Sequence, residues 1–161
     1  MWPGAFRNVG WCCGCGLARF ATWGIRGVGS VRWMHHPIVP DDISPPAANY
    51  AHARLTDGAG RWLHTSGVVP IAPDGTVPPA LVDQAEVVWA NIGAMLRDAG
   101  MGPADVVSVT TYVTPGHDLA EVMAVRDRVL EGNLAASTLV VVAELARPEW
   151  LMEIAVIAAA S

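Results

Sequence analysis

The chain has 161 residues, of which 52% are hydrophobic and 16% are charged, a length and composition that predict one domain with a substantial buried core. No run of about 18 uninterrupted apolar residues occurs, so we expect no membrane-spanning helix. Residues 34–161 contain six Arg and fifteen acidic residues, a formal charge of −9, and a domain this acidic repels the phosphates of nucleic acids.

Residues 1–33 differ in composition from the rest of the chain. They hold four Arg without any acidic residue, four of the seven Trp and all three cysteines, Cys12, Cys13 and Cys15. We interpret this segment as an over-extended gene call or a disordered tail before a start at Met34; the alternative is a targeting or anchoring extension. The cysteines form no CxxC pair and lack a fourth partner, so they do not predict a metal site.

The remainder, residues 34–161, contains no cysteine, which is compatible with a reducing cytoplasm. The five histidines of the chain show no spacing typical of metal ligands. We therefore expect a cytoplasmic protein without a metal or other cofactor.

A proline-rich lead-in opens the domain and should be extended, because each Pro fixes its own φ and disfavours helix in the residue before it. The segments Asn49–Leu55 and Arg61–Gly67 then flank a glycine-rich turn, Asp57–Gly60. Two such segments joined by a short turn predict a β-hairpin.

Two helices are predicted from apolar residues that recur every three or four positions. The first follows Pro78-Pro79 and ends at Gly100, a residue suited to the left-handed conformation at a helix C-terminus. The second begins at a capping box that starts with Asp118. Between the helices, the β-branched run Val106–Val113 predicts a strand.

Two apolar, β-branched runs close the chain, one starting near Ser137 and the other spanning Leu151–Ala158. They predict consecutive strands that are buried on at least one face. The order is then β-β-α-β-α-β-β, an α+β domain in which two helices cover one face of a mixed sheet. The other face also needs a cover, and further copies of the chain would supply one.

Glu153 lies inside the last predicted strand, among apolar neighbours. Burying an unpaired charge is costly, so this carboxylate needs either a partner or a function. The functional alternative is a general base that positions water. The structural alternative is an acid paired with an Arg or with backbone amides.

Short motifs in residues 47–158 resemble, in order and spacing, the Rid/YjgF family of small trimeric proteins with a chorismate-mutase-like fold. The matching motifs are Asn49-Tyr50, Thr65-Ser66-Gly67, Asp74-Gly75, Asn91-Ile92 with Ala94-Met95-Leu96 and Ala99-Gly100, Asp105-Val106-Val107 leading into Thr110-Thr111, Ala136-Ser137-Thr138 and Met152-Glu153-Ile154. The resemblance leaves residues 1–33 outside.

The resemblance implies a homotrimer with a ligand cleft between subunits, in which family members hydrolyse reactive imines or enamines made by pyridoxal-phosphate enzymes. It also implies that Glu153 positions or activates water. The other residues on family cleft positions are Tyr50, Ser66, Gly67, Ala136, Ser137 and Thr138. No His-Asp arrangement in the sequence points to a serine nucleophile, so Ser66 and Ser137 would act as hydrogen-bond donors.

Ala136 stands where the family has an Arg that binds the substrate carboxylate. Hydrogen bonds to charged groups contribute roughly 1.5–3 kcal/mol each, so its absence weakens binding of a carboxylated substrate about tenfold to a hundredfold or more. Arg126 and Arg147 are alternatives for a relocated anion site. In most proteins an Arg in such a position is a surface charge or a salt-bridge partner.

The sequence therefore leaves two functions open. The first is deamination of small imines or enamines, with a substrate range altered by Ala136 and with Glu153 handling water; the second is non-catalytic binding of a small metabolite by a trimer. Ribonuclease activity, a label that some family members carry, conflicts with the charge of −9. Two of the cleft residues also have structural alternatives. Tyr50 could simply pack in the core, and Gly67 could simply end a strand.

Overall fold

A computed structural model describes residues 35–38 and 40–161. The expectations for residues 1–33 and their cysteines lie outside the described residues. The elements of the described part are β1 (His35–Ile38), β2 (Ala53–Thr56), β3 (Arg61–His64), α1 (Leu81–Asp98), a 3-10 turn (Pro103–Asp105), β4 (Val106–Val113), α2 (Leu119–Val129), β5 (Ala136–Val141) and β6 (Met152–Ala160).

The central sheet has the strand order β3-β6-β4-β5. Strand β6 is antiparallel to both of its neighbours, whereas β4 and β5 are parallel. The sheet is therefore mixed, as predicted. Because parallel strands need a long crossover connection, α1 joins β3 to β4 and α2 joins β4 to β5.

Both helices pack on one face of this sheet, which confirms the predicted α+β arrangement. Alternate residues of β6, including Ile154 and Val156, are buried in one core cluster with the apolar stripe of α1, including Val88 and Ile92. Full burial of each such side chain contributes about 1.5–3 kcal/mol, so this single cluster dominates the stability of the domain. Neither helix is long and apolar enough to cross a membrane, among the residues described.

The helix ends follow the predicted capping residues. After α1, Gly100 has φ +65°, the left-handed conformation expected of it. Before α2, the Asp118 carboxylate accepts a hydrogen bond from the Ala120 backbone N–H at 2.9 Å. These local signals place both helices correctly along the chain.

The predicted hairpin between the first two strands is wrong. Strand β2 pairs with β1, which the proline-rich lead-in forms, and strand β3 pairs with the long strand β6. The glycine-rich turn between them therefore connects two different sheets. Strand β6, with nine residues, offers β3 a full-length antiparallel edge, and this distant pairing cannot be seen in the turn itself.

The face of the central sheet away from the helices is here called the open face. The strand registers and the alternation of side chains place twelve residues on it. They are Trp62, His64, Ser108, Thr110, Tyr112, Ala136, Thr138, Val140, Glu153, Ala155, Ile157 and Ala159. Trp62 is 50% exposed and Val140 39% exposed, so apolar surface remains uncovered on this face in the single chain.

Candidate functional site

Glu153 and Gly67 are in direct contact. A Cβ atom built on Gly67 would lie 1.6 Å from Oε1 of Glu153 and 2.4 Å from its Cδ. The Glu153 carboxylate therefore occupies the space in which any other residue at position 67 would carry a side chain. The group that approaches Gly67 is Glu153 rather than a ligand, so the predicted close approach of a ligand to Gly67 stays a prediction.

The backbone of β6 holds Ser66 and Gly67 in place from both sides. Before them, the Thr65 N–H donates to the Val156 carbonyl at 3.1 Å, and the Thr65 hydroxyl accepts from the Val156 N–H at 3.0 Å. After them, Val68 exchanges two backbone hydrogen bonds with Ile154, at 2.7 and 3.1 Å. The backbones of Glu153, Ser66 and Gly67 are thus held side by side, and the three residues are here called the first half-site.

The Glu153 carboxylate makes no hydrogen bond or ion pair with any residue in the described part of the chain. It is partly buried, and its register neighbour on β4 is Tyr112. The structural alternative, in which an Arg or backbone amides pair with this acid, finds no partner among the described side chains and amides. The oxygens of this carboxylate are therefore available to accept hydrogen bonds from water or a ligand.

Tyr50 lies beside the start of β5, the strand that carries Ala136 and Thr138, and these three residues are here called the second half-site. Ala51 forms a parallel bridge with Ala136, which brings Tyr50 next to the start of β5. The Tyr50 hydroxyl accepts a long hydrogen bond of 3.4 Å from the Ala47 N–H. Thr138 is exposed on the open face, level with Thr110 of β4.

The two half-sites are far apart within one chain. Glu153 on β6 is paired with Tyr112 on β4, and Tyr112 is paired with Val140 on β5. Ala136 is four residues before Val140 on β5. With a rise of about 3.3 Å per residue and about 4.8 Å between strands, Glu153 and Ala136 are separated by about 16 Å. Thr138, two residues closer to Val140, is about 12 Å from Glu153 by the same geometry. Both distances exceed the length of a small imine, so we do not expect one such ligand to touch both half-sites of the same subunit.

Ser137 points to the opposite side of β5 from Ala136 and Thr138. Its hydroxyl accepts a hydrogen bond from Nη1 of Arg126 at 3.2 Å, beneath α2. Only the backbone of Ser137 is therefore close to the open face, and its role in ligand binding stays a prediction.

Arg126 and Arg147, the alternatives for a relocated anion site, have very different surroundings. Arg126 is buried and donates to Ser137, to the Asn49 carbonyl at 3.1 Å and to Asp127. Arg147 is exposed, 5.6 Å from the Trp150 ring centroid, and 3.8 Å from Glu149. Arg126 thus has a structural role within the chain, and Arg147 lies on the connection between β5 and β6.

An apolar cleft of about 410 Å³ adjoins the first half-site. Ser66 and Gly67 form one side, and Ile71 and Met95 contribute apolar walls. Asn91 is held at this cleft by a hydrogen bond from its side-chain amide to the Ile71 carbonyl at 2.9 Å. The cleft carries no Arg or Lys, so it is suited to an uncharged portion of a ligand.

Gln84, which no sequence motif singled out, positions the strand that carries Glu153. Gln84 is fully buried, and its amide donates to the carbonyls of Pro78 and Glu149 at 2.8 Å each. Its side-chain oxygen accepts from the Leu151 N–H at 2.8 Å, two residues before Glu153. The available signal was a polar residue on the apolar stripe of α1.

Asn133 is a second polar residue that no sequence motif singled out. Its amide donates to the carbonyls of Pro103 and Val106, at 2.7 and 2.8 Å, and its oxygen accepts from Arg54. Burial lowers the pKa of the Arg54 guanidinium below its usual range. These contacts hold the start of β4 next to β2. No local sequence pattern predicts them.

Fold and site together define a small α+β protein with an acid on the open face of a mixed sheet. The family described as Endoribonuclease L-PSP matches residues 42–160 of this chain. A RutC family protein of Pyrococcus horikoshii is 31% identical over 127 residues, which cover 78% of this chain and 98% of the relative. The 2-iminobutanoate/2-iminopropanoate deaminase of Escherichia coli is 34% identical over 80 residues, 49% of this chain and 62% of the enzyme.

Solved structures show the same architecture. YyfB of Yersinia pestis, a protein of unknown function of the conserved Rid family, has a TM-score of 0.69 and 32% identity, covering 78% of this chain and 98% of its own. TdcF of Escherichia coli with bound serine has a TM-score of 0.57 and 28% identity, covering 76% of this chain and 93% of its own. The chain belongs to the Endoribonuclease L-PSP family, which includes the Rid and YjgF proteins.

Proposed function

We propose that this chain forms a homotrimer that hydrolyses small imines or enamines to a carbonyl compound and ammonia. The observation that carries the proposal is the Glu153 carboxylate, which lies against Gly67 without a described partner. Relatives named as reactive-intermediate and imine deaminases support the same reaction class. The absence of cysteine from residues 34–161 is compatible with a reaction in the cytoplasm.

The reaction needs from the protein one group that takes up a proton and returns it. Glu153 accepts a proton from water while the water oxygen bonds to the carbon of the protonated imine and the C=N π electrons move to nitrogen, which gives a neutral carbinolamine. The protonated Glu153 then returns its proton to the amino nitrogen, and ammonia leaves as the C=O bond forms and the hydroxyl proton passes to solvent water. A protonated imine is a cation, so the negative carboxylate also favours its approach.

The separation of the half-sites supports the proposed trimer. Glu153 and Ala136 are about 16 Å apart on one open face, so one ligand can contact both groups only if they come from different subunits. Apolar residues of that face, including Trp62 and Val140, provide the surface for the contact. The first half-site of one subunit would then meet the second half-site of its neighbour.

The proposed substrates are imines without a carboxylate beside the C=N bond. Ala136 supplies no cation, and none of the twelve residues of the open face is Arg or Lys. An anionic substrate would find no counter-ion on this face and would meet the charge of Glu153. A neutral or cationic imine avoids both penalties.

Ammonia release from two freshly generated imines tests the proposal. An amine oxidase acting on benzylamine supplies an uncharged imine, and an amino-acid oxidase supplies a carboxylated one. We expect acceleration over buffer with the uncharged imine, weaker acceleration with the carboxylated one, and at least a hundredfold loss in Glu153→Gln. Equal rates with and without the wild-type protein for both imines would refute the deaminase assignment.

The second candidate is a trimer that binds a small metabolite without turnover. The specific observation in its favour is Ala136, because the carboxylate-binding Arg of the family is absent. This function predicts an increase in thermal unfolding temperature with a small metabolite, in the wild type and in Glu153→Gln alike, and no ammonia release.

A further inference from the structure

We propose that a groove between α1 and α2 binds a small aromatic carboxylate, at a site separate from Glu153. The groove has a volume of about 550 Å³, within the range of small-molecule sites. It lies on the helix-covered side of the sheet, whereas Glu153 belongs to the open face. The groove is lined mainly by Trp89, Ala90, Gly93, Leu96, Met101 and Val129.

Two small residues, one helical turn apart on α1, give the groove its depth. Ala90 and Gly93 lie at its wall, and glycine is unfavourable inside a helix relative to alanine. A Cβ atom at position 93 would lie 3.3 Å from Nη1 of Arg97. The glycine therefore leaves room for the Arg97 guanidinium to lie across the surface of its own helix.

Trp89 supplies a donor without an acceptor. The residue is 2% exposed, and its indole Nε1 has no hydrogen-bond partner among the described residues. Buried indole N–H groups normally have a partner. Two other buried nitrogens among the described residues also lack a hydrogen-bond partner, on Arg54 and Trp150, but neither residue lines the groove. Trp89 does line it. In the proposed complex, a ligand oxygen in the groove accepts a hydrogen bond from this donor.

The charges around the groove define the polarity of the ligand. Arg128 and Glu86 neutralise each other through contacts of 2.5 and 2.6 Å. The Arg97 side chain makes no hydrogen bond or ion pair within the described part of the chain, so its guanidinium is available for an anion. Glu131, on the other wall, disfavours an anion there. The carboxylate therefore faces Arg97, and an aromatic ring covers the apolar floor.

Titration of the full chain with 2-naphthoate, followed by the NMR signal of the Trp89 indole N–H, tests this proposal. The Trp89→Phe variant identifies that signal. We expect a saturable shift of the signal, and at least tenfold weaker binding of the uncharged analogue 2-naphthamide. Arg97→Gln should weaken 2-naphthoate binding about tenfold, and Gly93→Leu, which fills the groove, should abolish it.

Two control variants keep this site apart from the proposed active site. Arg147→Gln removes an exposed Arg elsewhere, and Glu153→Gln removes the proposed base; both should bind 2-naphthoate as the wild type does. Binding that is equal for the amide, or unchanged in Arg97→Gln and Gly93→Leu, overturns the proposal. If 2-naphthoate shifts only the backbone amide NMR signals of Gly67 and its neighbours, and not the Trp89 indole signal, the proposal is also overturned.

Discussion

At the scale of single residues, the contact between Gly67 and Glu153 decides the geometry of the site. A methyl group on Gly67 overlaps the end of the Glu153 side chain, which is flexible and can move aside. We expect Gly67→Ala to fold with a loss of less than about 1 kcal/mol in the free energy of unfolding, while ammonia release falls at least tenfold because Glu153 is displaced.

A double-mutant cycle isolates this contact. In a Glu153→Ala background the overlap is gone, so Gly67→Ala should leave the free energy of unfolding unchanged. Gly102→Ala is the matched control, because a Cβ on Gly102 meets no atom within 4 Å. Wild-type activity in Gly67→Ala would mean that Glu153 does not act from the observed position.

Ala136 sets the proposed substrate range, and an Arg at this position should widen it. We expect Ala136→Arg to raise kcat/KM for the carboxylated imine about tenfold or more, because charged hydrogen bonds contribute roughly 1.5–3 kcal/mol. The rate with the uncharged imine should not rise. Thr138→Arg, two residues along the same face, is the control for a mere change in charge. Equal gains in both variants contradict an anion site at residue 136.

The sequence indicated Glu153 because one acid interrupts an apolar strand, and this signal is local. It could mark Gln84 as a polar residue on an apolar stripe, but it could not indicate the distant backbone groups that Gln84 and Asn133 contact. Nor could it show that Ser137 faces α2, since the direction of a strand residue depends on the register with β4. Side-chain type was predictable, but side-chain direction was not.

At the scale of secondary-structure elements, a buried arginine ties α2 to its surroundings. We expect Arg126→Met to lower the free energy of unfolding by roughly 2–4 kcal/mol, because the Asn49 carbonyl and the Ser137 hydroxyl lose their donor. Arg128→Met, on the same helix, breaks an exposed ion pair with Glu86 and should cost less than about 1 kcal/mol. Urea unfolding measures both; equal losses would contradict the structural role of Arg126.

The helices and β4 were predictable because helix-capping residues, the apolar periodicity of a helix and the β-branched run of a strand each involve residues that are close together in the sequence. The strand pairing of β2 and β3 was not, because their partners β1 and β6 lie elsewhere in the chain. A glycine-rich turn between two extended segments is typical of a hairpin. Here competition from β6 decides the pairing, and only the three-dimensional structure shows it.

At the scale of the whole molecule, the open face should mediate assembly. The full chain of 17.0 kDa is expected to scatter light as a particle of about 51 kDa, the mass of three copies. Ile157→Glu places a charge on the open face and should give monomers. Ile43→Glu changes a residue that is already 47% exposed and should leave the mass unchanged. A wild-type monomer would contradict the proposed trimer.

Subunit complementation tests the central claim most directly, because it asks whether the two half-sites of one cleft come from different chains. Glu153→Gln removes the first half-site, and Thr138→Trp blocks the second. Each variant alone should be inactive, whereas the two refolded together in equal amounts should recover about a quarter of wild-type ammonia release, the share of clefts with both half-sites intact in a random cyclic trimer. No recovery from mixed trimers would contradict a cleft completed across subunits with Glu153 at its centre.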